Sequence, residues 1–235
     1  MSGDIIVCTE VVVQRGAFSL RVPSWSVPRG CVVGVVGPNG AGKTTLLELI
    51  PGLRTPTAGS IHVTGLSPVH HQVAVRSKVG FMSADMPVFD LRIDKLLRLL
   101  SGYYPTWDPE LVNTLLERFQ LDASKRARDL SRGQATRLRL VAALGFKPEL
   151  LVLDEPTAGL DLGGRHSLLE TILEVVRGED RSVVISSHQL QDIARVADRL
   201  LVLDEGKVVQ SGPTDELVGD ERTLEEAVQA WGAAG

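Results

Sequence analysis

The sequence predicts an α/β fold built on a mainly parallel sheet. Short β-branched apolar runs alternate with segments of helical period. One of those runs leads through a glycine-rich loop directly into a helix. From about residue 92 to 148 the pattern is helical, and this block reads as a lobe inserted between strands. The elements follow in order. Ile5-Ile6-Val7 and Val11-Val12-Val13 are strand-like, with turns at Gly16 and at Pro28-Arg29-Gly30. Cys31 to Val36 is a buried strand, and Thr45 to Ile50 opens a helix that Pro51-Gly52 ends. Gly59 to Val63 and Val79 to Met82 are short strands. In the helical block, Leu96, Leu97, Leu99 and Leu100 form one stripe, and Leu111, Leu115, Leu116 and Phe119 form another. Pro109 stands at a helix start, where its missing N–H costs nothing. Leu150 to Leu153, Ser182 to Ile185 and Leu200 to Leu203 are strands. Arg165 to Val176 and Gln189 to Val196 are helices, and Asp204 to Lys207 is a turn.

Bulk properties narrow the function classes. The 235 residues suit one large α/β domain or a domain with a lobe. A net charge of -4 and the lack of a long basic stripe argue against a nucleic-acid partner. Cys8 and Cys31 both fall in strand-like runs and read as reduced, buried thiols. The start, Met1-Ser2-Gly3-Asp4, lacks the basic character of a secretory signal, and no apolar run reaches bilayer-spanning length. This chain alone is therefore expected to cross no membrane. His70-His71 lacks further ligands at metal spacing and reads as a solvated loop, while Trp107 reads as lobe core. Trp231 is expected to pack a short amphipathic helix near the end of the sequence.

Four constellations carry chemistry. Gly37-Pro38-Asn39-Gly40-Ala41-Gly42-Lys43-Thr44 matches the phosphate-loop pattern at every fixed position, between a strand and a helix. Its backbone N–H groups and the helix N-terminus form an anion site. Lys43 would neutralise the β- and γ-phosphates, and the Thr44 hydroxyl would ligate Mg2+. Asp154 and Glu155 follow a buried strand at its carboxyl end, where ligands bind in open α/β sheets. Asp154 would face the metal, and Glu155 would polarise an attacking water. Asp204-Glu205 also follows an apolar strand, but it leads into a plain Gly-Lys turn. Ser131-Arg132-Gly133-Gln134 enters a helix with Ser131 as N-cap, a weak signal taken alone. Ser186-Ser187-His188 ends the next strand and brings a histidine to the same edge.

In this order the four elements, with Ala158-Gly159-Leu160-Asp161, resemble the ordered motif set of the ATP-binding cassette (ABC) ATPases over nearly the whole chain. The resemblance implies a P-loop NTPase (RecA-like) core with an N-terminal antiparallel β subdomain and an inserted α-helical subdomain. Residues 1–235 then form a single ATPase domain. Within it, 1–88 and 149–210 make the β subdomain and core, 89–148 the helical subdomain, and 211–235 a C-terminal tail. The implied ligands are ATP and Mg2+. Gly37 to Thr45, including Pro38, Asn39, Gly40, Ala41, Gly42, Lys43 and Thr44, would hold the triphosphate. Thr44 and Asp154 would hold Mg2+, Glu155 would be the catalytic carboxylate, and His188 would contact the γ-phosphate. The family pairs head-to-tail, with a copy of itself or a homologous ATPase. Ser131, Arg132, Gly133 and Gln134 would then complete the partner's site, with Asp161 at the dimer seam. The implied partners are integral-membrane subunits on separate chains, with the ATPase peripheral on the cytoplasmic face. Gly102 to Asp108, with the Ser-Arg-Gly-Gln loop, resembles an exporter-type branch. The rival readings are a soluble, non-transport ABC ATPase and an ATP-gated regulatory subunit.

The sequence departs from the family pattern at three positions. Ala84 stands where the family carries Gln, leaving Asp85 or Ser83 to substitute. The slot of the adenine-stacking aromatic falls near Gln14, and Phe18 is the nearest aromatic. Arg132 replaces the commoner Gly of the signature loop, while Ser131 and Gly133 are kept.

Overall fold

A computed structural model describes residues 3–87, 89–177, 181–218, 224 and 226–228. Its strands are β1 (Ile6–Arg15), β2 (Phe18–Val27), β3 (Val32–Val36), β4 (Ala58–Val63), β5 (Val79–Ser83), β6 (Leu150–Asp154), β7 (Ser182–Ser186), β8 (Arg199–Asp204) and β9 (Lys207–Pro213). Its helices are α1 (Lys43–Leu49), α2 (Gln72–Arg76), α3 (Ile93–Ser101), α4 (Pro109–Arg118), α5 (Arg132–Leu144), α6 (Leu162–Arg177), α7 (Leu190–Ala194) and α8 (Thr214–Val218).

All nine strands form one sheet, in the order β4-β1-β2-β9-β8-β3-β7-β6-β5. From β8 to β5 every neighbour pairs in parallel, whereas β1 pairs antiparallel with β2 and β4, and β8 pairs antiparallel with β9. β3, β6 and β7 are buried along their whole lengths. This is why they read as continuous apolar runs with no alternation. Their side chains still divide by face. Val33 and Val35 of β3, Leu150 and Val152 of β6 and Val184 of β7 pack with Leu46, Leu47 and Leu49 of α1. Val32, Val36, Leu151, Leu153, Val183 and Ile185 pack on the opposite face with residues of α3 to α7. This period of two decides below which strand-end side chains reach the phosphate loop.

The two N-terminal runs are one ten-residue strand, with a register shift between Thr9 and Val12 and a positive φ of 50° at Glu10. In the lobe, Asp108 caps α4 by accepting from the N–H groups of Glu110 and Leu111, and Pro109 follows it at the first helical position. Leu96 and Leu97 are buried with Ile93, but Leu99 is half exposed and leaves the expected stripe. Trp107 packs against the lobe core. α2, β9 and α8 are additions to the sequence reading; α2 and α8 have five residues each, too few for a periodic signal. His70 and His71 are exposed. Cys8 is buried and Cys31 is only partly so, a correction to the expectation of two buried thiols. Trp231 and most of the tail lie outside the described residues.

Candidate functional site

The phosphate loop starts where β3 ends. A Cβ on Gly37 (φ 150°) would sit 2.1 Å from the Leu203 carbonyl oxygen, so the loop can leave the sheet here only as glycine. Gly42 precedes α1 with φ 106°, a conformation L side chains rarely adopt. The Lys43 ammonium donates to the carbonyls of Gly37 (2.8 Å) and Pro38 (3.2 Å), closing the loop on itself. Burial pulls the Lys43 pKa below its ordinary value, and the charges of Glu155 and Asp154 oppose that shift. Ala41 is buried, and its carbonyl accepts from the Gly206 N–H, tying the loop to the β8–β9 turn.

The acidic half follows from sheet register. Asp154 shares its face with Leu150 and Val152, the face on which α1 packs. Its Oδ2 accepts from the Thr44 hydroxyl at 2.7 Å. Asp154 is opposite Ser186 in the parallel β6–β7 pair, and the Ser186 hydroxyl donates to Asp154 Oδ1 at 2.7 Å. The same hydroxyl accepts from the Glu155 N–H at 3.0 Å. Ser186 therefore holds both carboxylate residues, a role that no local motif announces. Glu155 adopts φ 52°, a left-handed conformation costing about 1 kcal/mol or more for a non-glycine residue. Its carbonyl accepts from the Ala158 N–H, so both sides of this residue are anchored. Glu155 Oε2 meets His188 Nδ1 at 2.6 Å and accepts from the His188 N–H at 3.2 Å. The structure thus joins Thr44, Asp154, Ser186, Glu155 and His188 in one hydrogen-bonded chain.

Two oxygens, Thr44 Oγ1 and Asp154 Oδ2, stand together beside the loop lysine. This hard donor pair suits Mg2+, which takes one or two protein ligands and completes its shell with phosphate and water. Asp85 is exposed, and its charge raises the Arg139 pKa against the lowering effect of burial. Ser83 is the residue that pairs with Asp154 across β5 and β6, so Ser83 is the better placed of the two proposed substitutes.

A cleft of ≈ 540 Å³ runs along the loop past Asn39, Gly40, Lys43, Thr44 and Thr45, with Glu155 in its wall. Arg15 and Phe18 also line it. Gln14 does not: its side chain donates to the Gly16 carbonyl, and its N–H donates to Thr57. Arg15, which sequence reasoning passed over, is the polar residue of that hairpin in the cleft. Ser131 caps α5 in a reciprocal capping box with Gln134, and Arg132 is exposed beside it. Gly133 lies against Leu160, where a Cβ would come within 3.0 Å. None of Ser131 to Gln134 lines the cleft of its own chain. Asp161 accepts from the Gly164 N–H and so caps α6.

Fold and site together define a phosphate-loop nucleotide-binding domain. The ABC transporter family profile matches residues 20–158. The chain is 33% identical to the ABC transporter ATP-binding protein YtrB of Bacillus subtilis (strain 168), covering 84% of this chain and 68% of that protein. It is 35% identical to Nod factor export ATP-binding protein I of Neorhizobium galegae, over 84% of this chain and 58% of that one. The chain thus spans less than two thirds of the latter relative's length. A solved ATP-binding subunit of an ABC transporter superposes with a TM-score of 0.87 at 26% identity, covering 97% of this chain and 99% of the other. The chain belongs to the ABC transporter family, as an ATP-binding domain. Its activity is accordingly that of an ATPase.

Proposed function

We propose that this chain powers transport through separate membrane subunits, in the direction of export. On this reading it closes as a head-to-tail dimer on Mg-ATP at the cytoplasmic face of a membrane. The observation that carries the reading is the hydrogen-bonded chain from Thr44 through Asp154, Ser186 and Glu155 to His188. Lys43 exchanges its loop carbonyls for phosphate oxygens when the triphosphate binds. Bound Mg2+ would neutralise phosphate charge and orient the γ-phosphoryl group, held by Thr44 and Asp154. Glu155 keeps one carboxylate oxygen on His188 and turns the other to a water in line with the γ-phosphate. His188, half exposed and paired with Glu155, then contacts the γ-phosphate and reports its loss. Ser131 and Gly133 stand at an exposed helix start away from their own loop, which suits completing a partner's site.

Coupling to a membrane protein is supported by an apolar groove of ≈ 300 Å³ between the core and the lobe. Phe81, Met86, Phe89, Leu96 and Tyr104 line it, and Phe89 is 71% exposed. Val79 and Phe81 of β5 and Met86 and Pro87 of the loop after it line one wall. An amphipathic segment of a membrane subunit would cover this surface and feel the state of the site. No helix among the described residues is long and apolar enough to cross a membrane. The exporter direction rests on the Gly102 to Asp108 resemblance and on the similarity to a protein named for Nod factor export.

The test is to purify the Glu155→Gln protein from native membranes with Mg-ATP. It should turn over roughly 10²–10⁴-fold more slowly, run as a nucleotide-dependent dimer, and bring down a multi-span membrane protein in stoichiometric yield. Soluble partners alone would favour a non-transport ATPase. A nucleotide-bound monomer would favour a regulatory role.

A further inference from the structure

We propose that Val228, in the helical stretch beyond α8, is a positioning residue for the phosphate loop, and that the hollow it shares with Pro38 is the room the loop needs when a triphosphate binds. This rests on reading Gly37 to Thr45 as the triphosphate site. The spacing of Leu224, Ala227 and Val228, at i, i+3 and i+4, puts all three on one helical face. Residues 224 and 226–228 are helical; Leu224 and Ala227 are buried, and Glu226 is exposed. Leu224 joins the core cluster that holds Val36 and Val202, and Val228 packs against that cluster. This brings Val228 to the back of the phosphate loop. There it lines a hollow of ≈ 190 Å³ with Pro38, Val202, Leu203, Asp204 and Val209.

The loop is pinned at both ends. Gly37 lies against the Leu203 carbonyl oxygen, which a Cβ would approach to 2.1 Å. Ala41 is buried, and its carbonyl accepts from the Gly206 N–H at 3.1 Å. Pro38, Asn39 and Gly40 lie between these points and are left to move. Lys43 holds this span by donating to the Gly37 and Pro38 carbonyls. When phosphate oxygens take the ammonium, both carbonyls lose a charged donor, and each must find another or meet water. The Gly37 carbonyl belongs to the peptide that carries the Pro38 ring nitrogen. Turning that peptide therefore turns the ring, which is fused to the backbone. The hollow in front of Val228 receives it, and its valine and leucine walls suit an apolar ring.

The test sets ligand affinity against stability. Calorimetry with Mg-ATP and Mg-tripolyphosphate on the Glu155→Gln chain reads the first, and urea denaturation reads the second. Val228→Phe fills the hollow. It should keep the urea midpoint of the parent and weaken both ligands by the same factor, about tenfold. Val228→Leu, a smaller addition, should weaken both by about threefold, and it decides the matter should phenylalanine not be accommodated. Val228→Ala enlarges the hollow; it should lower the urea midpoint yet leave both affinities within about threefold. A merely structural valine would move affinity only in step with stability. The proposal is overturned if the larger side chains leave both ligands bound as in the parent, if ATP weakens and tripolyphosphate does not, or if affinity simply follows the urea midpoint. Lys43→Ala is the separate control and should weaken both ligands. If it weakens neither, the phosphate-loop reading fails and the role of Val228 fails with it. If it weakens both while the Val228 variants bind normally, the role of Val228 alone fails.

Discussion

Replacing Ser186 by alanine tests how the two carboxylate residues are held. The side chain is wholly buried, and its hydroxyl spans Asp154 Oδ1 at 2.7 Å and the Glu155 N–H at 3.0 Å. Deleting it removes a hydrogen bond to a charged group, worth about 1.5–3 kcal/mol. It also leaves the Glu155 N–H unpaired, at about 1–3 kcal/mol. The two overlap, because both follow from one missing atom, so the expected net loss is about 2–4 kcal/mol of folding stability. The functional effect is separate. The Ser186 bond is one of those that hold Glu155 in its left-handed conformation at φ 52°. On the role proposed for Glu155, relaxation of that residue would move its carboxylate off the attacking water, so kcat should fall at least about tenfold with KM for ATP little changed. Urea denaturation and steady-state phosphate release measure the two effects. Ser186→Cys, close in size and a weak donor, should fall between. A Ser186→Ala protein within about 0.5 kcal/mol of the parent and with unchanged kcat would refute the reasoning and reduce Ser186 to a spacer.

Two further outcomes follow from the ionisable groups. Burial pushes the Cys8 thiol up to about 12, while Cys31 is raised less and is partly exposed beside Asp198; iodoacetamide at mild alkaline pH should therefore modify Cys31 alone until the chain unfolds, as peptide mass spectrometry would show. Burial lowers Lys43 from 10.5, so between its lowered value and 10.5 the unfolded chain holds more protons. In that window stability rises with pH, whereas ATP affinity falls as the ammonium is lost. The ATP Kd should therefore climb before an ordinary lysine titrates, and affinity that stays flat up to pH 10.5 would contradict this.

Much of the site is legible along the chain because its parts are local. The Gly37 to Thr45 loop, the strand-end pair Asp154-Glu155 and the Ser131 cap each sit within a few residues of the strand or helix that positions them. Period and punctuation locate such parts without the fold. β3, β6 and β7 were readable for the same reason, since burial on both faces leaves continuous apolar runs. Leu99 misled because a stripe of leucines does not say how wide a face the neighbours cover.

What the sequence determined by itself is the set of chemical groups and the elements that carry them, from the loop lysine to the strand-end carboxylates. Tertiary structure alone decided which of those groups meet. Ser186 joins Asp154 and Glu155 because β6 and β7 pair in that register, across 32 residues of chain. Ser83 stands opposite Asp154 because β5 and β6 pair in that register, across some 70 residues of chain. Gln14 is tied back while Arg15 is left free in the cleft, although nothing in the local sequence separates them. The physical reason is that sheet register and strand alternation arise from pairing between distant segments. A one-residue change of register would turn every such side chain to the other face.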